Sequence, residues 1–134
     1  MKEVVDFLTK SRIYYLATVG LDGKPKVRPF GFVMEEGGKI YFCTANNKNV
    51  YQEMQKQPWV EFSTCGENFT WIRLKGKAVF SNDLAIKTKV MELSPQVKSI
   101  YQTPDNPIFE TFYLAEASAT FYDFSGNPPK TIDL

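Results

Sequence analysis

Histidine is absent from all 134 residues, and no other feature of the composition removes as much chemistry. The commonest general base and the commonest neutral metal ligand go together. Ser-His-Asp and Cys-His mechanisms are therefore excluded. Cysteine is scarce as well: Cys43 and Cys65 show neither a CxxC spacing nor a small secreted framework, so the expectation is two buried, reduced thiols. Zinc would need a cysteine and carboxylate set that two cysteines separated by a helix and a strand do not supply, and no metal site is expected. The chain contains no apolar run long enough to cross a bilayer, and no charged-then-apolar leader follows Met1, which points to a cytoplasmic protein without a membrane partner. Neither charge sign dominates. The 16 basic and 15 acidic residues leave a net charge of +1, without the basic footprint that nucleic-acid binding requires. Chemistry in such a chain falls to a bound organic cofactor, or there is none.

What is present reads as one domain over residues 1–134, long enough for a hydrophobic core but not for two. Val4, Val5 and Leu8 recur at helical spacing and predict a short amphipathic helix ending near Ser11. Aromatic and β-branched residues from Ile13 to Val19 predict a strand, and LDGKP supplies a turn through Asp22-Gly23 before a second strand begins near Lys26. A third, Lys39 to Thr44, follows Gly37-Gly38, and the three are expected to form an antiparallel meander. After Thr44 the period changes: Asn46 or Asn47 can cap a helix whose Val50 and Met54 share a face, and Pro58 stops it. WVEFSTC returns to strand, and FTWIRLKGKAVF sets Ile72, Leu74, Ala78 and Phe80 against Arg73, Lys75 and Lys77. A further helix follows a Ser81 or Asn82 cap, with apolar spacing through Leu84, Val90, Met91 and Leu93. The stretch from Pro95 to Pro107 reads as a loop or short-helix cover, Thr111 to Phe124 as the last strand, and the remainder as an extended tail. About six strands with short helices between them imply a mainly β, mostly antiparallel barrel whose ends the helices plug.

Two segments point to a ligand. In KVRPFGFV the alternation places Lys26, Arg28, Phe30 and Phe32 on one face, an odd mixture for a plain core. Arg28 on a solvated edge strand is the competing explanation, since Pro29 cannot donate to a ladder. Pro29 and Gly31 also suit a bulge at which backbone comes close to a flat ligand. In the second segment a strand ends in the Thr44 hydroxyl, Asn46 and Asn47 turn the chain, and Lys48 opens a helix. A lysine is disfavoured at the positive end of a helix dipole unless an anion is bound there. The competing explanation is an ordinary asparagine cap beside an exposed lysine.

Taken in order, Arg28, GGKIYFCT, a short polar turn, Lys48, a helix, QP, VEF and WIRLKGKAVF resemble the pyridoxamine 5′-phosphate oxidase-like, FMN-binding split-barrel family. The resemblance runs from about Phe7 to Phe124. It implies a split β-barrel binding FMN through Arg28, Thr44 and Lys48, with the phosphate near Lys48. Backbone at Pro29, Phe30 and Gly31 would meet the isoalloxazine ring. It also implies a homodimer with FMN in the interface, an oxidoreductase activity with NADH or NADPH as a possible donor, and a small acceptor. Asn47 stands where the namesake oxidases tend to carry arginine, leaving Asn46 and Asn47 as neutral donors. Trp71 stands where they carry a polar residue, as a wall of the flavin site or as a core or dimer contact. The tail SGNPPKTIDL has no counterpart of their product-recognition region, so pyridoxamine phosphate oxidation itself is not expected. The alternative is a flavin- or small-ligand-binding protein without turnover, such as a stress-related protein or a carrier. No catalytic side chain is identified.

Overall fold

Turn chemistry sets the first pairing. Gly23 adopts φ +78°, and the Asp22 carboxylate accepts a hydrogen bond from the Lys24 N–H at 3.0 Å, so the chain reverses between β1 (Tyr14–Val19) and β2 (Pro25–Phe30). The two strands pair antiparallel with Tyr14 opposite Phe30 and Val19 opposite Pro25. The computed structural model describes residues 1–134, the side chain of Val33 excepted.

The expected meander then fails. The strand-like run after Lys26 is broken at Gly31, and β3 (Phe32–Glu36) pairs with β4 (Lys39–Ala45), not with β2. The remaining strands are β5 (Trp59–Cys65), β6 (Trp71–Ser81), β7 (Phe109–Tyr122) and β8 (Lys130–Asp133). Their order in the sheet is β2-β1-β5-β6-β7-β4-β3, with β8 added against β7. Two strands adjacent in the chain therefore form the two ends of the strand path, and the curled sheet stays split between them. Eight strands replace the expected six because the break divides one segment and because the tail pairs with β7, Ile132 opposite Ala119.

Aromatic packing explains the curl. Phe42 from β4 stacks on Phe62 from β5 at 4.1 Å between centroids, and Phe30 and Phe32 both meet Phe42 edge-on, at 6.4 and 6.2 Å. Both edges thus converge on one buried ring. Phe42, Phe62 and Phe112 are fully buried, each contributing about 1.5–3 kcal/mol by the area it removes from water. Along β6 the alternation holds, with Ile72, Leu74 and Ala78 inside and Arg73, Lys75 and Lys77 exposed. Among the described residues no helix is long and apolar enough to cross a membrane.

Helices pack against both buried clusters of the sheet. Helix α1 (Lys2–Lys10) buries Val4 and Leu8, and α2 (Asn49–Lys56) buries Val50, Glu53 and Met54. Helix α3 (Leu84–Leu93) and α4 (Pro95–Tyr101) pack Ile86, Val90, Met91 and Tyr101 with Met34, Tyr41 and Phe109. Asp83, not Ser81 or Asn82, caps α3, because its carboxylate reaches the Ala85 N–H at 2.9 Å. Leu84 and Leu93 fall on the exposed side of that helix. Of the two free thiols, Cys43 is half-buried but Cys65, at the end of β5, is exposed, contrary to expectation.

Candidate functional site

The split between the strand-path ends opens into a cavity of about 380 Å³. The segment from Arg28 through Phe32 forms one wall, Cys43, Thr44 and Lys48 a second, and α4 a third through Val97, Ile100 and Tyr101. The α4 wall matches the cover expected between Pro95 and Pro107. No residue after Tyr101 lines the cavity.

Of the residues singled out from sequence, Arg28, Pro29, Phe30, Gly31, Thr44 and Lys48 are brought together here. Asn46, Asn47 and Trp71 are not among the lining residues. The Asn46 amide donates to the Pro107 carbonyl at 2.8 Å and to the Glu110 carboxylate at 3.1 Å, pinning the segment before β7. Asn47 is exposed in the turn. Neither asparagine caps α2. The cap position falls to Lys48, whose side chain makes no capping hydrogen bond. Trp71 opens β6 and stacks on Tyr122 at 5.1 Å, with Phe124 at 5.3 Å.

Among the described residues three cations, Arg12, Arg28 and Lys48, line the cavity, and no carboxylate does. Arg28 is neutralised from behind by Glu53 at 2.6 Å, whereas among the described residues neither Arg12 nor Lys48 forms an ion pair. The first N–H groups of α2 have no partner within their own helix, and they begin directly after Lys48. Thr44, which lines the same cavity and is 2% exposed, carries the one buried side-chain polar atom without a hydrogen-bond partner among the described residues, its Oγ1. A buried hydroxyl left unpaired costs about 1–3 kcal/mol. A phosphate or other oxyanion would satisfy the hydroxyl, the helix N–H groups and Lys48 together. The donor set therefore fits the phosphate that the resemblance implies.

Protein acid–base chemistry is poorly supplied. Burial pushes the Cys43 thiol up to about 11, against the opposing charge of Lys48. Burial, with a smaller contribution from Cys43, also raises Tyr101. Both stay protonated at neutral pH.

Over residues 1–121 the sequence matches the family profile described as pyridoxamine 5′-phosphate oxidase. The chain belongs to that family. Among solved structures similar to this family member, a NimC/NimA family protein from Clostridium acetobutylicum is 34% identical, with 100% of this chain and 93% of that one covered and a TM-score of 0.91. General Stress Protein 26 from Bacillus anthracis str. Sterne shares 19% identity over 99% of this chain and 97% of that one, TM-score 0.77. A pyridoxamine 5′-phosphate oxidase-related, FMN-binding protein from Nostoc punctiforme shares 17% over 99% and 95%, TM-score 0.66. The last two likenesses are of fold. Among curated proteins none matches the chain.

Sequence reasoning missed Arg12 and Glu53. Glu53 had a legible signal: it lies three residues after Val50 and one before Met54, so a carboxylate stands on the apolar face of α2. Arg12 had none, since it sits in the link between α1 and β1 and reaches the cavity only through tertiary packing.

Proposed function

We propose that the protein is an FMN-binding flavoprotein and an oxidoreductase acting on a small substrate. The observation that carries this reading is the unpaired, buried Thr44 hydroxyl in a cavity lined by three cations and no carboxylate. Thr44, Lys48 and the start of α2 would hold the phosphate, and the Pro29 to Gly31 backbone would flank the isoalloxazine ring. Bound FMN supplies hydride or electron transfer that no side chain of this chain could perform. The chain itself binds, orients and walls off the cofactor, with α4 shielding one side from water. Pyridoxamine phosphate is not the proposed substrate, because the C-terminal segment is paired in β8 and contributes nothing to the cavity lining.

A homodimer belongs to the same reading. Tyr15, Val27 and Trp59 are exposed on β1, β2 and β5. That face meets the cavity at Pro29, which pairs with Tyr15. A second copy seated there would close the open side of the flavin site.

The experiment is the visible spectrum of the purified protein, followed by addition of NADH or NADPH without air. Flavin bands that bleach support an oxidoreductase. Bands that persist favour the second reading, a flavin carrier or stress-related binding protein without turnover. A colourless protein that does not quench the fluorescence of added FMN rejects both.

A further inference from the structure

Arg28 is held more tightly than a cavity-lining cation needs to be. Its Nη1 donates to the Leu16 carbonyl at 3.2 Å and to Thr18 Oγ1 at 2.6 Å, and its Nη2 donates to Glu53 Oε1 at 2.6 Å. Thr18 Oγ1 in turn donates to the same Glu53 oxygen at 2.7 Å, closing a ring of three side chains. Thr18 and Glu53 are 4% and 5% exposed, so two buried polar groups are committed to one guanidinium.

A guanidinium has five N–H donors in a rigid plane. Three are used here. Because Thr18 and Glu53 are bonded to each other, they take the end-on edge, one N–H from each Nη, and the Leu16 carbonyl takes the other N–H of Nη1. The two donors that remain are Nε–H and the second N–H of Nη2. These are parallel and on one edge, the arrangement that receives two oxygens of an oxyanion or one oxygen shared. Glu53 also cancels the charge of Arg28, so what this residue offers a ligand is a directed fork more than a net charge. Glu53 follows Lys48 by five residues, roughly 7–8 Å along α2, and Arg28 and Lys48 line the same cavity.

We propose that Glu53 and Thr18 are positioning residues that fix Arg28 so that its free edge receives an oxygen of the cofactor phosphate. This rests on the FMN reading above and adds to it a specificity device behind the binding surface.

The test is a set of dissociation constants for FMN and riboflavin, from quenching of flavin fluorescence, on the wild type, Arg28→Ala, Glu53→Ala, Thr18→Ala and Arg28→Ala combined with Glu53→Ala. Each single substitution is expected to weaken FMN about tenfold and riboflavin less than about twofold. On the Arg28→Ala background, Glu53→Ala should add less than about twofold, since it acts through Arg28. Unchanged or tighter FMN binding in Glu53→Ala and Thr18→Ala overturns the proposal, as does an equal loss for FMN and riboflavin or an undiminished effect without Arg28. Should Glu53→Ala not fold, Thr18→Ala decides alone. Should the wild type bind no FMN, the cofactor reading fails separately, and the same variants are titrated with inorganic phosphate. Loss of phosphate binding in Thr18→Ala and Glu53→Ala then supports the clamp, and its retention, or no phosphate binding by the wild type, overturns it.

Discussion

Phe30 and Phe32 lie two residues apart in the chain and on opposite ends of the same strand path. Phe30 ends β2 and pairs with Tyr14, while Phe32 begins β3 and pairs with Phe42. Only Gly31 joins the two edges, and the cavity opens where it does so. A substitution near this junction thus reports on the ligand site, and the cation at the head of α2 reports on its phosphate end.

Lys48→Ala should weaken FMN by about ten- to a hundredfold, on the scale of a charge-assisted hydrogen bond at a helix N-terminus. Riboflavin, which has no phosphate, should be held nearly as before. Fluorescence titration of both ligands measures the ratio, and a parallel loss would place the phosphate elsewhere.

Gly31→Ala separates the ring from the fold. A Cβ at Gly31 meets no protein atom within 4 Å and its φ is not in the left-handed region, so urea unfolding should move by no more than about 0.5 kcal/mol. If backbone here lies against the isoalloxazine ring, FMN and riboflavin should both weaken, and to a similar degree. Unchanged affinity for both would remove Gly31 from the site.

Alkaline pH should destabilise the protein, with the largest contributions from Cys43 and Tyr14. Burial lifts Cys43 from an ordinary 9.0 to about 11 and Tyr14 from 10.0 to about 12. Both groups are neutral when protonated and hold their protons more tightly in the folded chain. Their contribution is therefore complete below pH 9 and is lost as pH rises, first between about 9 and 11 for Cys43, then between about 10 and 12 for Tyr14. The Cys43 part is at most roughly 3 kcal/mol. Urea midpoints should be flat from neutral pH to about 9, where Cys43 begins to titrate. In Cys43→Ala the fall should start later.

Val27→Glu tests the dimer. Val27 is 67% exposed on the outer face of β2, so a single chain should tolerate the charge within about 0.5 kcal/mol. A second copy packed there would not. Light scattering should show a shift to monomer together with weaker FMN binding. A dimer that persists unchanged places its interface on another face.

Much of the site was legible because its parts are local. The hydroxyl of Thr44 at a strand end, the lysine at a helix start and the Arg28-Pro29 pair are all visible as short patterns, and the structure gathers them at one cavity. Asn46 and Trp71 are not among the residues that line it. Asn46 stands beside the helix, yet its amide reaches the Pro107 carbonyl and Glu110, more than 60 residues away in sequence. Trp71 finds Tyr122 across the β6–β7 ladder. Neither partner is visible from a residue's own neighbours in the chain.

The amino-acid sequence by itself determined most of the elements and the faces of their side chains. Periodicity reports which side of a strand or helix is apolar, and Gly, Pro and Asp mark where the backbone turns. Only the tertiary structure decided which edges meet. A period of two states the face of a strand but not its neighbour, so β2 and β3 read as one strand until the packing of Phe30 and Phe32 on Phe42 drew them to opposite ends of a curled sheet. The same long-range packing set Glu53 against Arg28 and α4 beside Cys43, and so turned a row of local signals into a cavity.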